Sequence, residues 1–112
     1  MVGHIGRLAR AFDRLAGNDR LYFLRLDLNC EPEKLPAGVS VREDRITGTF
    51  VVSASGRKGE ILKVLEAVKI PKNELVKCII RDSRDSMYLC LLADGRIVID
   101  RKRRRCGFSC IE

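Results

Sequence analysis

An Asp-Gly pair at positions 94–95 lies between two apolar runs, Leu89-Cys90-Leu91-Leu92 and Ile97-Val98-Ile99. This arrangement constrains the chain more than any other feature. A tight hairpin needs left-handed backbone at its tip, and Asp-Gly supplies it at low cost. A third run, Leu75 to Ile80, precedes a polar turn from Asp82 to Ser86. Residues 75–105 therefore predict a three-stranded antiparallel meander that continues directly into Arg101-Lys102-Arg103-Arg104-Arg105. A two-residue turn at Asp94-Gly95 sets Leu92 opposite Ile97, Cys90 opposite Ile99 and Tyr88 opposite Arg101. Centring the earlier turn on Arg84 sets Cys78 opposite Cys90 and Ile80 opposite Tyr88. Side chains alternate between faces. One face then carries Val76, Cys78, Ile80, Tyr88, Cys90, Leu92, Ile97 and Ile99 as core. The other carries Lys77, Ile79, Arg81, Met87, Leu89, Leu91, Val98 and Asp100, apolar in the middle and charged at the rim. Either a helix covers this second face or part of it stays open for a ligand.

The chain before the meander supplies more strands and two helices. Ile5, Leu8, Phe12 and Leu15 recur at helical spacing, so residues 4–16 form a helix that Gly17 and Asn18 end. Arg20 to Asn29 alternates as a strand. Tyr22, Leu24, Leu26 and Leu28 point one way, and Phe23, Arg25 and Asp27 the other. Cys30 to Gly38 is a loop with two prolines. Val39–Arg42 and Ile46–Ser55 form a second hairpin around Glu43-Asp44, with Ile46, Phe50, Val52 and Ala54 on one face. Ser55-Gly56-Arg57-Lys58-Gly59 leads into a helix carrying Ile61, Leu62, Leu65 and Val68, which Pro71 stops. Ser55 is its candidate cap. A basic, Gly-rich turn at a helix start suits phosphate, since backbone N–H groups and the helix dipole both favour anions. The sum is one domain over residues 1–112, α+β in class. It has a mainly antiparallel sheet, a C-terminal three-stranded meander and two principal helices.

Charge narrows the function classes. The net charge is +7, and it is uneven. Residues 1–56 hold 8 basic and 7 acidic side chains, whereas residues 57–112 hold 14 and 8. A basic half with a basic cluster points to a polyanionic partner. No apolar run approaches membrane-spanning length, and Arg7, Arg10, Asp13 and Arg14 interrupt any leader-like apolar region, so a cytoplasmic protein is expected. The five cysteines and the single histidine, His4, do not fall at zinc-ligand spacings, so no metal is expected. Cys106 and Cys110 are the pair most suited to oxidation. No nucleophile elbow, nucleotide fingerprint or flanked carboxylate pair is present. The expectation is a non-catalytic protein with no cofactor and no small-molecule substrate. The absence of Trp and Gln, with abundant Arg, Lys and Glu, is a thermophile-type composition.

What remains is binding. The leading expectation is sequence-tolerant binding of single-stranded nucleic acid, DNA first and RNA second. The basic side chains meet phosphates while apolar and aromatic groups on the sheet meet unstacked bases. The candidate site comprises Arg101, Lys102, Arg103, Arg104 and Arg105, assisted by Arg57, Lys58, Lys77 and Arg81, with Phe23 and Arg25 as an aromatic–cation pair. The apolar meander also suggests a homo-oligomer, at least a dimer. The alternative is a protein–protein interaction or oligomerisation module of a larger complex, using the same apolar face.

The overall layout resembles the archaeal ThermoDBP-related family of single-stranded-DNA-binding proteins. The likeness rests on a basic thermophile-type chain, the segment ITGTFVVSASGRKGEILKVLEAV at residues 46–68, and a following sheet that ends in RKRRR. The resemblance implies an α+β fold, a cleft for single-stranded DNA and self-association.

Overall fold

A computed structural model describes residues 4–68, 70, 73–84 and 86–100. The elements are α1 (His4–Leu15), β1 (Leu21–Leu28), β2 (Ser40–Asp44), β3 (Thr49–Arg57), α2 (Lys58–Ala67), β4 (Leu75–Asp82), β5 (Tyr88–Leu92) and β6 (Ile97–Asp100). The strands form one six-stranded sheet in the order β2-β3-β1-β4-β5-β6. Every pairing is antiparallel. The class is therefore α+β, with β4, β5 and β6 as the expected meander.

The connectivity explains why one face is covered. β3 and β4 flank β1 on opposite sides, so the chain must cross β1 to pass from one to the other. It does so through α2, which thereby lies on a sheet face, and α1 packs beside it. The alternation of β1 decides which face that is. Tyr22, Leu24, Leu26 and Leu28 are all buried, together with Val52 of β3, Cys78 and Ile80 of β4, and Leu89 and Leu91 of β5. They meet Leu8 and Phe12 of α1 and Ile61, Val64 and Leu65 of α2. Each fully buried Leu or Ile contributes about 2 kcal/mol relative to an exposed one. The Phe12 and Tyr22 rings meet edge to face at 4.9 Å and 89°. The Tyr22 hydroxyl accepts a 2.7 Å hydrogen bond from Gly17 N–H, so its polar end is satisfied.

The meander departs from expectation in register. Cys78 pairs with Leu91, and Cys90 pairs with Ile79 and Val98. Cys78 and Cys90 therefore lie on opposite faces of the sheet, not side by side. Both turns differ by one residue from those expected. In the first, Asp82 N–H donates to the Met87 carbonyl, and Arg81 pairs with Tyr88. In the second, Leu92 N–H donates to the Arg96 carbonyl at 2.9 Å, leaving a three-residue loop with Gly95 at φ 95°. Such a loop puts its last residue in the left-handed region. The two differences cancel for β6, where Ile97 and Ile99 keep the expected face. For β5 they do not cancel. Leu89 and Leu91 turn to the helices, and Tyr88, Cys90 and Leu92 turn away. Tyr88 pairs with Asp100 rather than Arg101.

Three smaller corrections have local causes. A β-bulge opposite Asp27–Leu28 leaves Val76 out of the ladder, so Leu75 fills the core place expected for Val76. The β2–β3 turn runs from 45 to 48, beyond Glu43-Asp44. Asp44 Oδ1 accepts from Ile46 N–H at 3.0 Å, the Asp44 carbonyl accepts from Gly48 N–H at 2.7 Å, and Gly48 takes φ 76°. Ile46 consequently sits in the turn, 95 % exposed, instead of on the strand face with Phe50, Val52 and Ala54. Ser55 belongs to β3, paired with Phe23, and does not cap α2. That helix starts instead with Arg57 N–H donating to Glu60 Oε1 at 2.8 Å. The Glu60 carboxylate also lies over Gly56, where a Cβ would fall 2.6 Å from Oε1. The anion position at this Gly-rich turn is thus used by the chain's own side chain.

Gly95 joins α1 to the meander. It is buried, and a Cβ there would lie 2.6 Å from the His4 ring. The Arg7 guanidinium donates to its carbonyl.

Candidate nucleic-acid interface

Both helices pack on one face of the sheet, and among the described residues no helix lies on the other. The second face is organised in cross-strand rows. One row runs Ser55–Phe23–Arg81–Tyr88 across β3, β1, β4 and β5. The next runs Ser40–Ser53–Arg25–Ile79–Cys90 from β2 to β5. A third sets Asp27 between Val51 and Lys77. Directly opposed residues on one face have Cβ atoms about 4.5–5.5 Å apart, so each row is a line of neighbouring side chains.

The rows differ in exposure. Towards β5 the face is closed, with Tyr88 4 % exposed and Cys90 fully buried, packed against Ile79, Leu92 and Val98. Towards β1 and β3 it stays closed at Asp27 and Val51, both buried, and opens at the other end of the two strands. Phe23 is 36 % exposed, and Arg25, Ser53, Ser55 and Arg81 are exposed. Here lies a cleft of about 640 Å³, lined by Phe23, Arg25, Ser53, Ser55, Ile79, Arg81 and Tyr88, with Gly38 and Ser40 also in its lining. That volume falls in the range of small-ligand sites.

Two arginines are fixed in this cleft. The Arg81 guanidinium carbon lies 4.7 Å from the centre of the Phe23 ring, a cation–π contact. Arg25 donates through Nε to Asp27 Oδ1 at 2.9 Å and through Nη2 to Oδ2 at 3.4 Å. Asp27 is buried, whereas the Arg25 side chain is 46 % exposed. The carboxylate therefore grips one edge of the guanidinium from below. The hydrogen bond to Asp27 pushes the Arg25 pKa up, helped by the nearby charges and opposed by partial loss of hydration. Arg25 is a permanent, oriented cation.

The expected site residues divide into three groups. Phe23, Arg25, Lys77 and Arg81 come together on the open face, with Lys77 half-buried beside Asp27. Arg57 stands at the rim, opposite Leu21, with Nη1 donating to the Asn18 carbonyl at 3.4 Å. Lys58 belongs to the helix layer and pairs with Asp13 of α1 at 3.2 Å. Arg101, Lys102, Arg103, Arg104 and Arg105 lie outside the described residues, as do Cys106 and Cys110. Sequence reasoning missed Asp27 as the support of Arg25, although an Arg-x-Asp spacing on a strand puts both on one face. It also missed Ser53 and Ser55 as part of the site. Their alternation with Val52, Ala54 and Gly56 was the available signal.

Cys30, Cys78 and Cys90 are not in disulfide bonds. Burial pushes the Cys78 pKa well up, so this thiol stays protonated and packs as a small apolar group. No helix among the described residues is long and apolar enough to cross a membrane.

Fold and site together define an α+β protein whose antiparallel sheet carries both helices on one face and an arginine–aromatic cleft on the other. No protein-family model, curated protein or solved structure matches the chain.

Proposed function

We propose that the protein binds single-stranded nucleic acid, with little dependence on sequence, through the open face of its sheet. The observation that carries this reading is the convergence of Phe23, Arg25 and Arg81 on one cleft. An exposed ring beside a guanidinium plane offers stacking to an unpaired base, and every base has a face to stack. Arg25, gripped by Asp27, offers its remaining edge to phosphate, the group that a planar guanidinium suits best. The chain's net charge of +7 draws a polyanion to it, and the five basic residues 101–105 follow β6 directly in sequence. The resemblance to the ThermoDBP-related family supports the same reading. Bases inside a duplex are stacked on each other and cannot reach Phe23, so discrimination is by strandedness.

The test is fluorescence anisotropy with labelled single-stranded and duplex oligonucleotides over a salt series. Single strands should bind more tightly than duplexes of the same sequence. For single strands the log–log salt slope is about −0.7 per phosphate neutralised, so three to five contacts give a slope of roughly −2 to −3.5. Absence of binding at low salt would remove the proposal. It would promote the oligomerisation module, which has support of its own in Val41 and Ile99, exposed on the two edge strands β2 and β6 at 39 % and 46 %.

A further inference from the structure

The cleft has two unlike walls. On β1 and β4 it presents Phe23, Arg25 and Arg81. On β2 and β3 it presents Ser40, Ser53 and Ser55. The register places Ser55 directly beside Phe23, Ser53 beside Arg25, and Ser40 beside Ser53. All three serines are exposed. None of their hydroxyls makes a hydrogen bond within the described residues, unlike Thr47, Thr49 and Ser86, whose hydroxyls all do.

The chemistry of a nucleotide divides among these groups. Its base suits the Phe23 ring, and its phosphate suits the guanidinium groups. Neither needs a row of neutral hydroxyls, each of which both donates and accepts. The nucleotide group of the same kind, which donates and accepts through a single oxygen and sits on the unit joining base to phosphate, is the sugar 2′-hydroxyl. The 2′-hydroxyl is what separates RNA from DNA at a given site. Ser55 next to the stacking ring and Ser53 next to the phosphate-facing arginine stand where a sugar bridging the two must pass. Resting on the single-strand reading above, we infer that this cleft reads the sugar, and that its preferred ligand is single-stranded RNA. Ser53 and Ser55 are the residues that make the choice.

Short oligouridine and oligodeoxyuridine of equal length carry the same base and the same charge, so their comparison isolates the sugar. Anisotropy at one fixed salt concentration, with the wild-type protein and the Ser53→Ala, Ser55→Ala double variant, reads the effect. Both positions are exposed, where Ser→Ala perturbs stability little. The wild type should bind oligouridine about fivefold to tenfold more tightly, the worth of one or two hydrogen bonds. In the double variant the two affinities should converge, with the loss on oligouridine several times that on oligodeoxyuridine. Equal affinities in the wild type, or a ribose preference that survives the double substitution, would overturn the inference while leaving single-strand binding intact. Failure of the wild type to bind either strand would overturn both readings together.

Discussion

Replacing Asp82 with Ala is expected to lower the unfolding free energy by about 3 kcal/mol, the scale for removing one partner of a buried, hydrogen-bonded ion pair. The Asp82 carboxylate is wholly buried at the end of β4. It accepts from Arg20 Nη1 at 2.8 Å, from Ser86 N–H at 2.8 Å, from Met87 N–H at 3.4 Å, and from the Ser86 hydroxyl. Removing it orphans two backbone donors in one step and takes the carboxylate partner from Arg20, whose guanidinium keeps only the Ser86 hydroxyl. It also removes the group that ties Ser86 and Met87 to the end of β4 and so helps set the register of β5. For a domain of this size the loss corresponds to a fall in Tm of roughly 10–20 °C.

The same residue gives the expected pH dependence. Burial by itself would raise the Asp82 pKa. The hydrogen bonds from Ser86, Arg20 and Met87 outweigh burial and hold it below the ordinary carboxylate range. The folded-state pKa is thus lower than the unfolded value of about 3.9. The stability this creates is fully present above that unfolded value and is lost as pH falls through the folded-state pKa. Urea melts of the wild type and the Asp82→Ala variant should therefore differ most at neutral pH and draw closer on acidification. A gap below about 1 kcal/mol at neutral pH, or one that widens in acid, would contradict this account of the turn.

The second large effect is on binding. Changing both Arg25 and Arg81 to Gln should weaken single-strand affinity by roughly a hundredfold, since hydrogen bonds to charged groups contribute about 1.5–3 kcal/mol each. The salt slope should fall by about 1.4, or 0.7 for each lost phosphate contact. Gln at 25 keeps an N–H for Asp27, so the buried carboxylate is not left without a donor. Lys58→Ala is the internal control. That lysine pairs with Asp13 on the helix layer, and its loss should leave affinity and slope nearly unchanged. An unaltered slope in the double arginine variant would place the phosphate contacts elsewhere on the protein.

The parts of the fold legible in sequence are those where polarity alternates. β1 separates Tyr22, Leu24, Leu26 and Leu28 from Phe23, Arg25 and Asp27, and the structure follows that division. β4 does likewise with Cys78 and Ile80 against Ile79 and Arg81. β5 reads Tyr-Leu-Cys-Leu-Leu, apolar at every position, so nothing within it says which side faces in. Its register comes from turn lengths, and one residue reverses every side chain. Those lengths depend on what Asp82 reaches for and on Gly95 taking left-handed backbone, neither of which shows in hydrophobic pattern. Phe23 and Arg25 were visible as a pair on one strand. Their meeting with Arg81 and the serines was not, because it depends on β1 lying between β3 and β4, a long-range choice that local pattern does not encode.

The proposed binding surface is the helix-free face of the sheet. It is tested most directly by mapping backbone amide shifts in heteronuclear NMR spectra as a short single-stranded oligonucleotide is added. Perturbations are expected at Phe23, Arg25, Ser53, Ser55, Ile79 and Arg81, with the exposed side of the helices, including Arg10 and Lys63, left in place. Shifts confined to α1 and α2, or no shifts at saturating oligonucleotide, would contradict it.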